Sequence, residues 1–203
     1  MNHSMESERY LASCQSPFWR KIFAAELEYL LRHLRVEDRV LSVGCGPAII
    51  ESGLSAQGIA VTGLDVSREA LACAPDSLRT IVAPAEKMPI EDSAFDAVLF
   101  IVSLQFMEDY RLALAEAARV LRPKGRIIVM LLNPASVFFH SKMAESDSYV
   151  GKIRHTDLSE LETAMAERFS VQGEYFLGIV GQDIFPCADP GVAALYVLRG
   201  NKI

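Results

Sequence analysis

The sequence predicts a doubly wound α/β sheet, and three observations carry that prediction. Val40-Leu41-Ser42-Val43 is a short apolar run that breaks into Gly44-Cys45-Gly46-Pro47. A second apolar run closes on Leu64-Asp65 about twenty residues later, the spacing of strand, glycine turn, helix, strand and acid. From there to Leu132, apolar runs of strand length alternate with segments of helical period, as in a parallel sheet covered on both faces.

Each element has its own signal. Pro17 to Leu34 carries Phe18, Ile22, Leu27, Leu30, Leu31 and Leu34 at helical spacing, an amphipathic helix ahead of the first strand. Val40 to Val43 is strand one, Pro47 to Gln57 its crossover helix and Ala60 to Asp65 strand two; Pro47 suits a first helical position and Gly58 a helix stop. Ser67 caps a short helix through Cys73, Leu78 to Val82 is a third strand, and Phe95 to Val102 a fourth. Asp109 caps a helix to Leu121, Pro123-Lys124-Gly125 turns the chain, and Arg126 to Leu132 is the fifth strand. Asn133 to Arg154 is less regular and long enough to cover an active site. A last helix runs from a cap at Thr156 or Asp157 to Arg168. Phe169 to Phe176 and Val192 to Arg199 are two closing strands joined by a long loop with Pro186 and Pro190.

Composition bounds the function. A chain of 203 residues with 51% hydrophobic content fits one domain with a full core. Its net charge of -6 and pI near 5.3 oppose attraction to nucleic acid or to an anionic membrane surface, so the expected partner is a small molecule or another protein. No stretch is apolar for long enough to span a bilayer, and Met1 to Arg9 lacks the pattern of a secretory signal. Cys14, Cys45, Cys73 and Cys187 show neither metal-ligand nor disulfide-framework spacing, which suits a reducing cytoplasm and predicts no metal. Nothing in the sequence sets the oligomeric state.

At the glycine turn a ligand can approach the backbone closely, and an acid ending the next strand can accept both hydroxyls of a ribose. The segment therefore reads as a nucleoside-cofactor site. A nicotinamide-dependent oxidoreductase is one alternative, opposed by Ile49 at the third-glycine position. A non-catalytic binding or scaffold protein is another.

Two further motifs sharpen the reading. Ala85-Glu86-Lys87-Met88-Pro89-Ile90-Glu91-Asp92-Ser93-Ala94-Phe95-Asp96 leads into strand four, and Glu116-Ala117-Ala118-Arg119-Val120-Leu121-Arg122-Pro123-Lys124-Gly125-Arg126 leads into strand five. With the glycine turn and Asp65, these resemble class I S-adenosylmethionine-dependent methyltransferases, across Val40 to Leu132 and in the family's order. The resemblance implies a Rossmann-like, mostly parallel, seven-stranded sheet of order 3-2-1-4-5-7-6 with an antiparallel last strand. It implies S-adenosylmethionine as cofactor and S-adenosylhomocysteine as product. Gly44, Cys45 and Gly46 would border the methionine part, Asp65 would hold the ribose, and Val66 and Met88 would flank the adenine. Ala85 and Glu86 would meet the adenine edge, with Val102 and Ser103 beneath the methionine amino group. Tyr10, with Trp19, would form an aromatic flap from the N-terminal segment 1–16, and 133–155 would cover the acceptor. The chain departs from the family pattern at Ser42, usually Asp or Glu, at Ala48, usually Gly, and at Pro84, usually Asp.

Methyl transfer from a sulfonium is an in-line displacement, so the chief demand is to hold a deprotonated acceptor about 3 Å from the methyl carbon. The expected acceptor is a small amine or thiol. If a proton must leave, His140, Tyr149 and Glu108 are the leading candidates to take it or orient the acceptor. His155 and Asp109 read more simply as surface polarity and a helix cap, and Cys45 as an inert small residue.

Overall fold

The computed structural model describes residue 14 and residues 16–146 and 148–203. Its elements, in chain order, are α1 (Pro17–Leu31), β1 (Arg39–Val43), α2 (Ile49–Ala56), β2 (Ala60–Asp65), α3 (Arg68–Leu71), β3 (Arg79–Val82) and β4 (Phe95–Ile101). There follow α4 (Tyr110–Val120), β5 (Leu121–Leu132), α5 (Val137–Met143), α6 (Leu158–Ala166), β6 (Phe169–Val180), β7 (Asp183–Phe185) and β8 (Ala193–Lys202). The strands form one sheet of order β3-β2-β1-β4-β5-β8-β6-β7. The first five are parallel, and β8 enters antiparallel between β5 and β6.

Alternation along the strands separates two cores. Val40, Leu99, Met130 and Val197 face the side that packs with Leu30 of α1, Leu54 of α2 and Phe138 of α5. Their neighbours Leu41, Val98, Val129 and Leu198 face Leu114 of α4 and Leu161 of α6. The period of two thus places the two helical layers on opposite faces.

Several boundaries differ from the sequence reading, each for a local reason. Among the described residues the sheet has eight strands, not seven, because β6 runs on to Val180 and Gly181, at φ +61, turns the chain so that Asp183 pairs back with Val180. That tight hairpin adds a short edge strand where the sequence showed only a proline-containing loop. Strand β5 begins at Leu121, not Arg126. Its register jumps from Phe95↔Leu121 to Ala97↔Arg126, so Pro123-Lys124-Gly125 bulges within one strand, with Lys124 at φ +61. Helix α2 begins at Ile49, and Pro47 lies in the turn before it, because Ala48 takes φ +58 and is the cap residue. The helix ends as expected: Ile59 N–H donates to Leu54 O (3.3 Å) and Gly58 N–H to Ser55 O (2.9 Å), with Gly58 at φ +83. The irregular segment after β5 contains α5 and a 3₁₀ turn at Tyr149–Lys152.

Candidate functional site

The site lies at the carboxyl ends of β1 and β4, where the parallel order runs outward in both directions and open α/β sheets form their crevice. The glycine turn after β1 is pinned to β2. Gly44 and Cys45 N–H both donate to Leu64 O (2.7 and 3.2 Å), and Gly46 N–H donates to Asp65 Oδ2 (2.7 Å). Asp65 Oδ1 takes Ser67 N–H at 2.8 Å. Two backbone donors therefore fix the carboxylate while it stays half-exposed at the strand end.

Gly44 sits at φ +73, and a Cβ there would lie 2.5 Å from Ser103 Cβ. Ser103 is held in place by donating Oγ–H to Val43 O (2.6 Å). Close approach of the β1 and β4 ends thus requires glycine at position 44. At Gly46, φ is +54 and a Cβ would meet nothing within 4 Å, so the space beside it is open. Val102, at the end of β4, has φ +49, a strained conformation for a β-branched residue of the kind that concentrates at functional sites.

Two of the three departures from the family pattern, Ser42 and Ala48, are explained by what surrounds them. Ser42 Oγ donates to Glu51 Oε1 at 2.5 Å, so α2 brings a carboxylate to the strand residue that lacks one. Burial, chiefly, raises the Glu51 pKa to about 7. Ala48 occupies the left-handed region that glycine favours.

The turn opens into a cavity of about 190 Å³, far above the roughly 10–15 Å³ that one water needs. Its wall combines Gly44, Cys45, Gly46 and Val102 with Trp19 and Phe23 of α1, Phe138 of α5 and Tyr149. Trp19 meets Phe138 and Tyr149 edge-on, at centroid distances of 6.3 and 6.1 Å. Two buried carboxylates, Glu26 and Glu51, also line it. Burial, reinforced by the charge of Glu51, raises the Glu26 pKa to about 8. Burial likewise raises Tyr149, with Glu26 as the next cause, so the phenol and this carboxylate share one environment. Cys45 is pushed up by burial and by Glu51 and Asp65, which leaves its thiol protonated and unreactive.

The sequence-derived residues fall into three groups. Gly44, Cys45, Gly46, Val102 and Tyr149 meet at the cavity, with Asp65 and Ser103 bonded to its turn or strand ends. Val66, 73% exposed, follows Asp65 as an apolar rim, and Ala85 is buried near the end of β3. Met88 packs into the core with Leu41 and Leu64; its N–H donates to Glu116 (2.7 Å) and its carbonyl accepts from Arg119 (3.0 Å). Arg119 also donates to Ile90 O, so the two motifs ahead of β4 and β5 clasp each other. Glu86 accepts Asp109 N–H at 3.4 Å. His140 and Glu108 are exposed and do not line the cavity. His155 is a strut, its Nε2 3.0 Å from Met107 O and its ring edge-on to Tyr110. Asp109 caps α4 by accepting Leu112 N–H. Tyr10 and most of the flap 1–16 lie outside the described residues.

Four functional residues escaped the sequence reading. Glu26 and Glu51 are single carboxylates on otherwise apolar helix faces; Glu26 follows Ile22 by one turn, the signal that was there to find. Gln105 and Asn133 hold the far strand ends. Gln105 bonds both backbone groups of Leu132 (2.7 and 3.1 Å) and the carbonyl of His155, while Asn133 Nδ2 donates to Pro190 O and Ala193 O.

A half-exposed carboxylate fixed by backbone donors, an apolar rim beside it, open space at Gly46 and an adjoining cavity fit an adenosyl cofactor. The fold is the Rossmann-like methyltransferase fold, and the layout at its strand ends is the one such a cofactor would need. Residues 41–129 match the family described as "Methyltransferase domain", and over that span the chain is similar to class I S-adenosylmethionine-dependent methyltransferases. Among curated relatives it is 32% identical over 116 residues to a demethylmenaquinone methyltransferase of Mycolicibacterium gilvum, covering 57% of this chain and 49% of that one. It is 35% identical over 133 residues to a 27-O-demethylrifamycin SV methyltransferase of Amycolatopsis mediterranei, covering 59% and 48%. The chain spans about half the length of these relatives. A solved Thermotoga maritima structure, described as a SAM-dependent methyltransferase and possible histamine N-methyltransferase, superposes with a TM-score of 0.80 at 22% identity. It covers 99% of this chain and 96% of that one. That likeness shows the fold.

Proposed function

We propose that this chain moves a methyl group from S-adenosylmethionine to a small nucleophile, an amine or a thiol, held in the cavity between α1, α5 and the strand ends. The observation that supports this best is that the glycine turn and the aromatic wall line one cavity, as an acceptor site adjoining a cofactor site would require. When bound, the cofactor supplies a methyl carbon on a sulfonium, a leaving group that needs no acid catalyst, and displacement by the acceptor's lone pair yields the thioether.

The protein's part is binding and orientation. Asp65 accepts the ribose hydroxyls while Gly46 and Ser67 hold its carboxylate. Val66 covers one adenine face, with Ala85 and Glu86 along the edge and Met88 backing that wall from the core. Gly44, Cys45, Gly46, Val102 and Ser103 border the methionine part, close to the Ser42–Glu51 pair. Residues 133–155 cover the acceptor and exclude water, using Phe138 and Tyr149; Tyr149 orients the acceptor. The protein acts in the cytoplasm on small molecules, without nucleic acid or membrane.

Calorimetric titration of dialysed protein with S-adenosylmethionine, S-adenosylhomocysteine, NAD and NADP, followed by mass spectrometry of amine and thiol panels, tests this. Binding of the first two alone, with one CH₂ added to an amine or thiol, is the expected result. Binding of NAD, or cofactor binding with no acceptor methylated, overturns it.

A further inference from the structure

Among the described residues of the cavity, Glu26 is the charged group whose role is still open. Its side chain is 4% exposed and lines the cavity, yet none of the described residues donates it a hydrogen bond or pairs with it. Glu51, the other buried acid of the cavity, already has Ser42. A buried carboxylate without a partner is costly and calls for a cation or a proton. The aromatic wall points the same way. Trp19, two turns before Glu26 on α1, packs edge-on with Phe138 and Tyr149 and stacks on Phe23 at 6.0 Å. Rings of this kind beside a carboxylate form the surroundings that select organic ammonium groups. A thiol acceptor would form no ion pair with Glu26, and a second anion would be repelled by both acids.

We infer that the acceptor is a primary or secondary arylalkylamine that enters as its ammonium ion, with Glu26 binding the nitrogen and the ring of the ligand lying among Trp19, Phe138 and Tyr149. This rests on the methyltransferase reading and names the substrate class of that same site. One proton passes from the ammonium nitrogen to a Glu26 carboxylate oxygen, leaving a neutral amine with a free lone pair and a neutral carboxylic acid. The raised proton affinity of Glu26 suits it to accept that proton near neutral pH. Charge is conserved: the ammonium and the carboxylate neutralise each other before the nitrogen attacks. Glu51 stays with Ser42 at the strand end, on the cofactor side.

Trp19 is the only tryptophan in the chain, so its fluorescence reads the cavity directly. The test is to titrate 2-phenylethylamine, 2-phenylethanol and 2-phenylethanethiol into protein saturated with S-adenosylhomocysteine, with calorimetry alongside, for wild type and Glu26→Gln. The amine is expected to bind wild type roughly tenfold to a hundredfold more tightly than the alcohol or thiol, a difference that Glu26→Gln abolishes. The affinity of S-adenosylhomocysteine should be the same in both proteins. Equal binding of amine and alcohol by wild type, a comparison that needs no variant, overturns the inference. So does preference for the thiol, unchanged amine affinity in Glu26→Gln, or a loss of S-adenosylhomocysteine affinity in that variant equal to the loss for amine. If wild type fails to bind S-adenosylhomocysteine while amine still quenches Trp19 in a Glu26-dependent way, methyl transfer falls and the amine site stands.

Discussion

The two ends of the candidate site are built differently. Around Asp65 the site is made of backbone: the amides of Gly46 and Ser67 fix the carboxylate, and those of Gly44 and Cys45 tie the turn to β2. Around Glu26 it is made of side chains from separate elements, Trp19 and Phe23 on α1, Phe138 on α5 and Tyr149 beyond it. A backbone-built site tolerates little change in shape and suits a ligand common to many enzymes. A side-chain-built site can be recut without disturbing the sheet, which suits the acceptor.

If that contrast is right, the largest effect belongs to the backbone side. Gly44→Val places a branched side chain at φ +73, with its Cβ 2.5 Å from Ser103 Cβ. It should abolish S-adenosylhomocysteine binding and cost roughly 1–3 kcal/mol or more in denaturant-measured stability. Wild-type binding in this variant would remove the steric argument for the turn.

On the side-chain side the effect is on pH dependence. A carboxyl raised in the folded state contributes stability that is complete below its unfolded pKa and disappears as pH rises through its folded pKa. With Glu51 at about 7 and Glu26 at about 8, the cofactor-free protein should lose stability from about pH 4.5 upward to about pH 8. Glu26→Gln removes its share, so thermal melts should show the variant gaining on wild type by a few kcal/mol above that range and by nothing below it, at about 1.4 kcal/mol per pKa unit. Parallel melting curves at all pH values would mean that Glu26 is solvated.

A smaller effect is expected in the cover. Ser136 caps α5 by accepting Phe139 N–H (3.1 Å) and donates to Asn133 O (2.8 Å). Ser136→Ala should destabilise by about 1 kcal/mol and speed hydrogen exchange in 133–154, which S-adenosylhomocysteine should slow in wild type. Unchanged exchange on adding the ligand would mean that this segment does not cover the site. Smallest of all, His140→Ala and Glu108→Gln should leave kcat/KM within about twofold, since both side chains are exposed and outside the cavity. A tenfold fall would bring one of them back as a proton acceptor.

The same contrast explains what the sequence could reveal. The parallel strands and the Gly44-to-Asp65 unit were legible because their constraints are local: a turn, a helix stop at Gly58 and an acid at a strand end follow one another within a short span. The Ser67, Asp109 and Asp157 caps were legible for the same reason. Strand β7 was not, because its hairpin rests on Gly181 alone, and the unbroken β5 was not, because Pro123-Lys124-Gly125 reads as a turn whether or not it is bulged from a strand. Gln105 and Asn133 bond partners more than twenty residues away, and Glu26 shares its cavity with side chains as distant as Phe138 and Tyr149, so no spacing rule connects them. The sequence did mark the loss of an acid at Ser42. Only the fold could show Glu51 supplying one.

The central claim is that a carboxylate held by backbone donors is the anchor of the cofactor side. Calorimetric titration of S-adenosylhomocysteine into wild type and Asp65→Ala, with far-ultraviolet circular dichroism to show both folded, tests it most directly. The account predicts binding by wild type and an affinity lower by roughly tenfold to a hundredfold in the variant; equal affinity in the two folded proteins would contradict it.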